Sequence, residues 1–154
     1  MANQKKLEGQ VELNCSAKKL FEQIMAKLPD IHNICTSKVA KIEVHEDACT
    51  CVGSVRRWDC IIGGKSQYFI ERIEAVDEEN MKIHRKVIDG EVMKNYKSLE
   101  NNIQVVSKGD GNCIFVYSLE YEKVNEAAPE PHDVLEFALS VFKELAAHPS
   151  MVPN

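Results

Sequence analysis

Apolar and polar residues alternate along most of the chain, which is the pattern of β-strands with one buried face. From residue 7 to residue 15 the odd positions are apolar or small and the even positions are polar, which predicts the first strand. A second alternation begins at Ala40 and continues through Val44. Five further strand-like stretches follow it, at residues 54–62, 66–76, 81–89, 94–106 and 113–123.

Turn-forming residues separate these later strands. They are Gly63-Gly64, residues 77–80, Asp89-Gly90 and residues 109–112. Connections this short leave no room for the helical crossover that joins parallel strands. We therefore predict an antiparallel meander, with the first strand paired elsewhere in the sheet.

Helical periodicity appears before and after the meander. Ser16 is a suitable N-cap for an amphipathic helix that stops near Pro29, and a second short helix is expected around residues 31–34. A final helix follows Pro131 and ends before Pro149. Its apolar face is broad and therefore needs a concave surface to cover it: Val134, Leu135, Ala138, Leu139, Val141, Phe142, Leu145 and Ala146.

Composition narrows the class of protein. With 154 residues, 44% of them hydrophobic, we predict a single domain over residues 1–154. A net charge of -5 with interspersed signs argues against nucleic acid as a partner. There is no apolar leader and no membrane-length apolar run, so we expect a cytoplasmic protein without membrane insertion. The 6 cysteines are then expected to be free thiols, with three disulfides as the alternative.

Several stretches of sequence carry a family resemblance. Between Leu7 and Glu126 they read LEGQVELNCSAKKLFE, GSVRRWDCIIGGK, ERIEAVDEENMKI, VIDGEVMKNYKS, IQVVSKGDGNC and SLEYEKVNE. Together they resemble the major latex proteins, a branch of the birch-pollen-allergen superfamily, which is also pathogenesis-related class ten. One loop departs from that pattern: EDACTCVGS keeps only Gly53 where the superfamily is usually glycine-rich. We therefore expect no anion-binding role for this loop.

The resemblance implies a START-like helix-grip fold of the α+β class. A seven-stranded curved antiparallel sheet would wrap around the long C-terminal helix, with two short helices between the first and second strands. The family's ligand cavity lies between sheet and helix, which makes the inward-facing residues the candidates for ligand binding. These are Trp58, Cys60, Tyr68, Ile70, Arg72, Ile83, Arg85, Phe115, Tyr117, Leu119, Tyr121, Leu135, Ala138, Leu139 and Phe142, with His32 near one mouth of the cavity. For any one of them, simple core packing remains the alternative.

The functions implied by the resemblance fall into different classes. The first is a carrier of hydrophobic plant molecules (a sterol, fatty acid, flavonoid, hormone or alkaloid) in a large internal cavity, linked to defence or stress. Such a carrier would act as a monomer or weak dimer without a cofactor. The alternative is an alkaloid isomerase, cyclase or condensing enzyme that uses the same cavity. Its possible acid–base groups form no recognisable dyad: Tyr68, Arg72, Tyr117, Glu120 and His32.

Two further possibilities have less support. A hormone receptor of the helix-grip type would need gate-loop motifs, which the segments between the strands do not show. His45, Cys49 and Cys51 have a spacing that suits a soft metal ion, but no fourth ligand is nearby in sequence. We therefore predict no metal site and no catalytic residue.

Overall fold

The computed structural model describes residues 4–27, 38–45, 52–109 and 111–148. They form one antiparallel sheet and two α-helices. The elements are β1 Lys5–Leu13, α1 Ala17–Lys27, β2 Val39–His45, β3 Val55–Ile62, β4 Lys65–Asp77, β5 Lys82–Gly90, a 3₁₀ helix Glu91–Lys94, β6 Tyr96–Ser107, β7 Cys113–Lys123 and α2 His132–Ala147. The second short helix predicted at residues 31–34 lies outside the described residues.

The sheet is the predicted meander, closed by the first strand. Its order is β1-β7-β6-β5-β4-β3-β2, and every neighbouring pair is antiparallel. The first strand therefore pairs with the last, for example through Leu7 opposite Leu119 and Val11 opposite Phe115. This curved seven-stranded sheet with its C-terminal helix confirms the predicted fold class.

Local sequence explains how the chain enters its helices and turns. The Lys19 N–H donates to Ser16 Oγ at 3.1 Å, which confirms Ser16 as the N-cap of α1. Gly63 and Gly64 join β3 to β4 as a two-residue turn with φ of +60° and +76°, values that glycine adopts without a steric penalty. Ile62 and Lys65 consequently lie opposite each other.

The core lies between the inner face of the sheet and α2. Phe142 of α2 stacks on Phe115 of β7 with ring centroids 4.4 Å apart, and Val141 and Leu145 are fully buried beside it. At β1 the helix approaches over Gly9, where a Cβ atom would lie 2.9 Å from Leu139 Cδ1. The broad apolar face of α2 is thus buried on the sheet, as its periodicity predicts.

Candidate functional site

A cavity of about 30 Å³ lies between the sheet and α2. Its walls come from β3 to β7, the 3₁₀ helix and α2, and most of the lining side chains are apolar. They are Trp58, Ile62, Phe69, Glu71, Arg85, Val87, Val92, Leu99, Asn101, Tyr117, Leu119, Val134, Phe137, Ala138, Val141 and Phe142. A volume of this size admits about one water molecule, so it is much smaller than the large cavity that the resemblance implies. Aromatic side chains of the sheet and of α2 fill the remaining space.

Some of the predicted ligand-binding residues line this cavity, and others are packed outside it. The lining ones are Trp58, Arg85, Tyr117, Leu119, Ala138 and Phe142. Those packed in the surrounding core are Cys60, Ile83, Phe115, Tyr121, Leu135 and Leu139. Tyr121, for example, donates its hydroxyl to Glu130 Oε1 at 3.1 Å and packs edge-on against Tyr96. His32 lies outside the described residues.

The predicted orientation of β4 is wrong, and Tyr68, Ile70 and Arg72 lie on the outer face of the sheet. Arg57 places its guanidinium carbon 4.1 Å from the centre of the Tyr68 ring, and Arg72 Nε donates to Glu74 Oε2 at 2.9 Å. The register explains the error. Trp58 of β3 lies opposite Phe69, and residues directly opposite in an antiparallel pair share a face.

Phe69 and Glu71 are therefore the β4 residues that line the cavity, and sequence reasoning missed both. A signal for them was present. In a hairpin with a two-residue turn, the residues that flank the turn lie opposite each other, so Ile62 and Lys65 share a face. Counting in steps of two from Lys65 reaches Phe69 and Glu71. Asn101 was missed as well, although it is buried on the same face of β6 as Leu99 and Ile103, two residues away on either side.

A buried polar cluster, made of Arg85, Glu71, Asn101 and Tyr117, lies in the cavity wall. Arg85 donates from Nη1 to Glu71 Oε2 at 2.7 Å and from Nε to Asn101 Oδ1 at 2.8 Å. Burial raises the pKa of the Tyr117 phenol well above its ordinary value, although the nearby Arg85 charge opposes this. Tyr117 thus remains protonated at neutral pH and is able to donate a hydrogen bond.

A second buried arginine lies next to this cluster but does not line the cavity. Arg56 is opposite Glu71 in the β3–β4 register. Burial lowers the pKa of Arg56 to about 10, with Glu71 raising it and Arg85 lowering it further. Arg56 therefore stays charged at neutral pH.

Trp58 lines the cavity and carries a buried polar atom that has no hydrogen-bond partner among the described residues. Its side chain is 2% exposed, stacks on Phe69 with ring centroids 5.6 Å apart and meets the edge of Phe137 at 6.5 Å. Its Nε1–H has no hydrogen-bond partner among the described residues. A buried N–H group in this condition is energetically unfavourable unless something else accepts its hydrogen.

An open groove of about 620 Å³ adjoins the cavity at one end of the sheet. We call it the entrance groove. It shares Ile62, Val92 and Val134 with the cavity. Its remaining lining is mostly polar: Gly63, Lys65, Gln67, Glu91, Lys94, Asn95, Tyr96, Pro129, Glu130, Pro131, His132 and Asp133. An ion pair between Lys65 and Glu91 connects β4 to the 3₁₀ helix across this groove.

The candidate metal ligands fall on residues whose side chains the structure does not describe. Cys49 and Cys51 lie outside the described residues, and the side chain of His45 is likewise not described. Among the residues that the structure does describe, no group of three or more His, Cys, Asp or Glu side chains could hold a metal ion. In that same part of the chain Cys15, Cys60 and Cys113 are free and buried. None of the described helices is long and apolar enough to cross a membrane.

An antiparallel sheet that grips a long C-terminal helix over an apolar cavity defines the class of helix-grip proteins. The sequence profile of the Pathogenesis-related protein Bet v 1 family matches residues 2–150. The chain is 36% identical to MLP-like protein 34 of Arabidopsis thaliana over 92% of its own length, and 35% identical to MLP-like protein 43 over 93%. It spans 45% of the first relative and 91% of the second. The chain belongs to the Bet v 1 family, in its major latex protein branch.

Solved structures agree with this assignment. The crystal structure of major latex-like protein 151 from Panax ginseng has a TM-score of 0.90 and 28% identity, and the match covers 99% of this chain and 100% of that one. A norcoclaurine synthase from Thalictrum flavum has a TM-score of 0.74 with 18% identity over 93% of this chain and 94% of its own. At that identity the second match shows a shared fold and nothing more.

Proposed function

We propose that this protein binds and carries a hydrophobic small molecule in the cavity between the sheet and α2. The observation that supports it is the cavity itself: an apolar enclosure with a few buried polar groups in its wall and a groove at its mouth. Sites for small ligands have this composition. Sterols, fatty acids, flavonoids, hormones and alkaloids remain the candidate ligands, and the proposal places the protein in the cytoplasm with a role in defence or stress.

The energetics suit a carrier. Covering about 300 Å² of apolar ligand surface at roughly 25 cal/mol per Å² stabilises the complex by about 7.5 kcal/mol, before the costs of association. Because about 7.5 kcal/mol corresponds to a dissociation constant of about 3 μM before those costs, binding by apolar contact alone is micromolar at its tightest and broadly selective. A tighter complex would need more hydrogen bonds than the few polar groups of the cavity provide.

Binding requires the cavity to expand. Drug-sized ligands occupy pockets of roughly 300 to 1,000 Å³, which is far more than the volume enclosed here. Val92 and Val134 separate the cavity from the entrance groove, since both residues line both spaces. We infer that a ligand enters from this groove, displaces these side chains and then the aromatic rings behind them.

Cavity filling tests the proposal. Ala138 and Ala147 lie on the same helix, but Ala138 lines the cavity and Ala147 is exposed. Ala138→Leu should lower affinity for an uncharged fluorescent apolar probe such as N-phenyl-1-naphthylamine by at least about tenfold, while Ala147→Leu should leave it unchanged. Circular dichroism checks that both variants fold. Equal affinity in the two variants would contradict the proposal.

The ligand itself can be sought directly. Native mass spectrometry of the protein isolated from its own tissue should show a bound species of a few hundred daltons alongside the free chain. Gentle unfolding should release that species for identification. A free chain without a copurifying molecule, together with failure to bind apolar probes, would count against the carrier.

A catalytic use of the same cavity is the second candidate, and it depends on Tyr117. Of the acid–base groups that sequence nominated, Tyr117 lines the cavity beside Arg85, whereas Tyr68 and Arg72 lie on the outer face. If the protein turns over alkaloid intermediates, Tyr117→Phe should abolish turnover. Arg72→Ala, on the outer face, is the matched control and should retain it.

A further inference from the structure

The cavity presents no net charge to a ligand. Its lining contains one cationic side chain, Arg85, and one anionic side chain, Glu71, and these two form a direct ion pair. The pair is 5% and 1% exposed, so each charge is already neutralised by the other in a medium of low polarity. The other buried cation, Arg56, lies opposite Glu71 and outside the cavity lining. A charged ligand in the cavity would therefore lose its hydration without gaining a counter-ion of its own, which is unfavourable.

Trp58, a residue of the cavity lining, has a hydrogen-bond donor that is unused within the described part of the chain. Trp58 Nε1–H lacks an acceptor among the described residues, although the side chain is almost completely buried. Trp58 lies opposite Phe69 in the register, and Phe69 is one inward position along β4 from Glu71. Strand spacing therefore puts the Cα atoms of Trp58 and Glu71 about 8 Å apart, so one small ligand can lie against both the indole and the polar cluster.

We propose that the ligand is an uncharged, oxygen-bearing apolar molecule, whose carbonyl or hydroxyl oxygen accepts a hydrogen bond from Trp58 Nε1. This inference rests on the carrier function and makes it more specific. Among the candidate ligands it favours neutral oxygenated molecules over fatty acid anions and protonated amines. The rest of the ligand would pack on the apolar walls formed by Phe69, Phe137 and Phe142.

The chain provides its own reporter, because Trp58 is its single tryptophan. Protein labelled with ¹⁵N-tryptophan therefore gives one indole N–H resonance in an NMR spectrum. Three probes with one bicyclic skeleton separate the chemistries: 2-acetylnaphthalene offers a neutral acceptor, 2-ethylnaphthalene offers none, and 2-naphthoate is an anion. Titration of each probe yields its affinity, and the indole proton shift reports hydrogen bonding.

We expect 2-acetylnaphthalene to bind about tenfold more tightly than the other two probes, and to move the indole proton downfield. Trp58→Phe keeps the aromatic ring but removes the donor, so the ketone should lose its advantage over 2-ethylnaphthalene. Tyr68→Phe, on the outer face, is the matched control and should keep the full preference. The wild-type titrations decide the matter even if Trp58→Phe folds poorly.

Different results would contradict the Trp58 proposal and the carrier function. Equal binding of the ketone and the hydrocarbon, or tightest binding of 2-naphthoate, would overturn the Trp58 proposal and leave the carrier function intact. If none of the three probes binds and the uncharged N-phenyl-1-naphthylamine does not bind either, then the carrier function itself fails, and the ligand assignment fails with it.

Discussion

Arg85 Nη1 of β5 lies 2.7 Å from Glu71 Oε2 of β4, and both side chains are almost completely buried. A buried ion pair seldom adds to stability compared with an apolar pair, but breaking it by removing one partner is strongly destabilising. The Arg85–Glu71 contact thus fixes the orientation of two charged side chains in the cavity wall. It also makes the wall sensitive to single substitutions.

Glu71→Gln should destabilise the protein by about 3 to 5 kcal/mol, because it leaves the Arg85 guanidinium buried without its counter-ion. Urea denaturation at neutral pH measures the change. Glu8→Gln removes one partner of the exposed Lys6–Glu8 pair and should have little effect. If Glu71→Gln lowers the free energy of unfolding by under about 1 kcal/mol, the pair does not hold the wall as described.

Gly90→Ala should destabilise the protein by about 3 kcal/mol, because Gly90 has φ of +131° and lies close to the backbone of β4. An added Cβ would lie 2.7 Å from the Tyr68 carbonyl oxygen and 2.8 Å from Phe69 Cα. Gly64 provides the comparison, since its φ is +76° but no atom lies within 4 Å of an added Cβ. Gly64→Ala should lower the free energy of unfolding by only about 1 kcal/mol, as measured by thermal or urea unfolding. Equal losses at the two positions would show that the close backbone approach is unimportant.

His84 should make the stability of the fold depend on pH. Partial burial by itself lowers the pKa of His84, but hydrogen bonds to Glu100 at 2.9 Å and Asn102 at 2.6 Å outweigh it, and the net pKa is raised. The stabilisation is therefore fully present below about pH 6.5, the ordinary histidine value, and is lost as pH rises through the raised folded pKa.

Comparison of the wild type with His84→Gln over roughly pH 5 to 9 should show this dependence. The difference in unfolding free energy between the two proteins should be largest at the acid end and smallest at the alkaline end. Glu100→Gln removes the charged partner and should weaken the pH dependence. A difference that grows with rising pH would reverse the sign and refute the assignment.

The buried thiols should resist alkylation in the folded protein. Burial raises the pKa of both Cys60 and Cys113 to about 12, so little reactive thiolate forms near about pH 8. Cys15 is also buried, with its Sγ 4.0 Å from that of Cys113, and burial raises its pKa as well. Iodoacetamide labelling followed by peptide mass spectrometry should find these positions unmodified until the chain is unfolded. Rapid labelling of Cys60 in the native protein would contradict its burial.

Much of the fold could be predicted from sequence because each strand has a period of two and each connection is short. The five strands after β2 begin and end within two residues of their expected positions, and Cys113–Lys123 matches without a shift. The resemblance to the major latex proteins then implied that the sheet wraps around the C-terminal helix. The 3₁₀ helix Glu91–Lys94 is not predicted, because four residues are too few to show a helical period.

The candidate site was predicted less well, and β4 shows why. Alternation separates the residues of a strand into two sets but does not say which set faces inward. The polar ends of Tyr68 and Arg72 suit a pocket, yet each has a partner on the outer face, Arg57 and Glu74 respectively. The register between β3 and β4 determines which set faces inward, and the two-residue Gly63-Gly64 turn sets that register.

Sequence alone thus determined the antiparallel meander, the broad apolar face of α2 and the family, because these depend on local periodicity, turn chemistry and recognisable stretches. Tertiary structure alone decided which inward side chains line a cavity and which fill the core. Phe115 and Phe142 both face inward, but their stacking closes the space between them. Whether such rings meet depends on how closely a helix approaches a sheet, and that distance is set by packing across the whole interface.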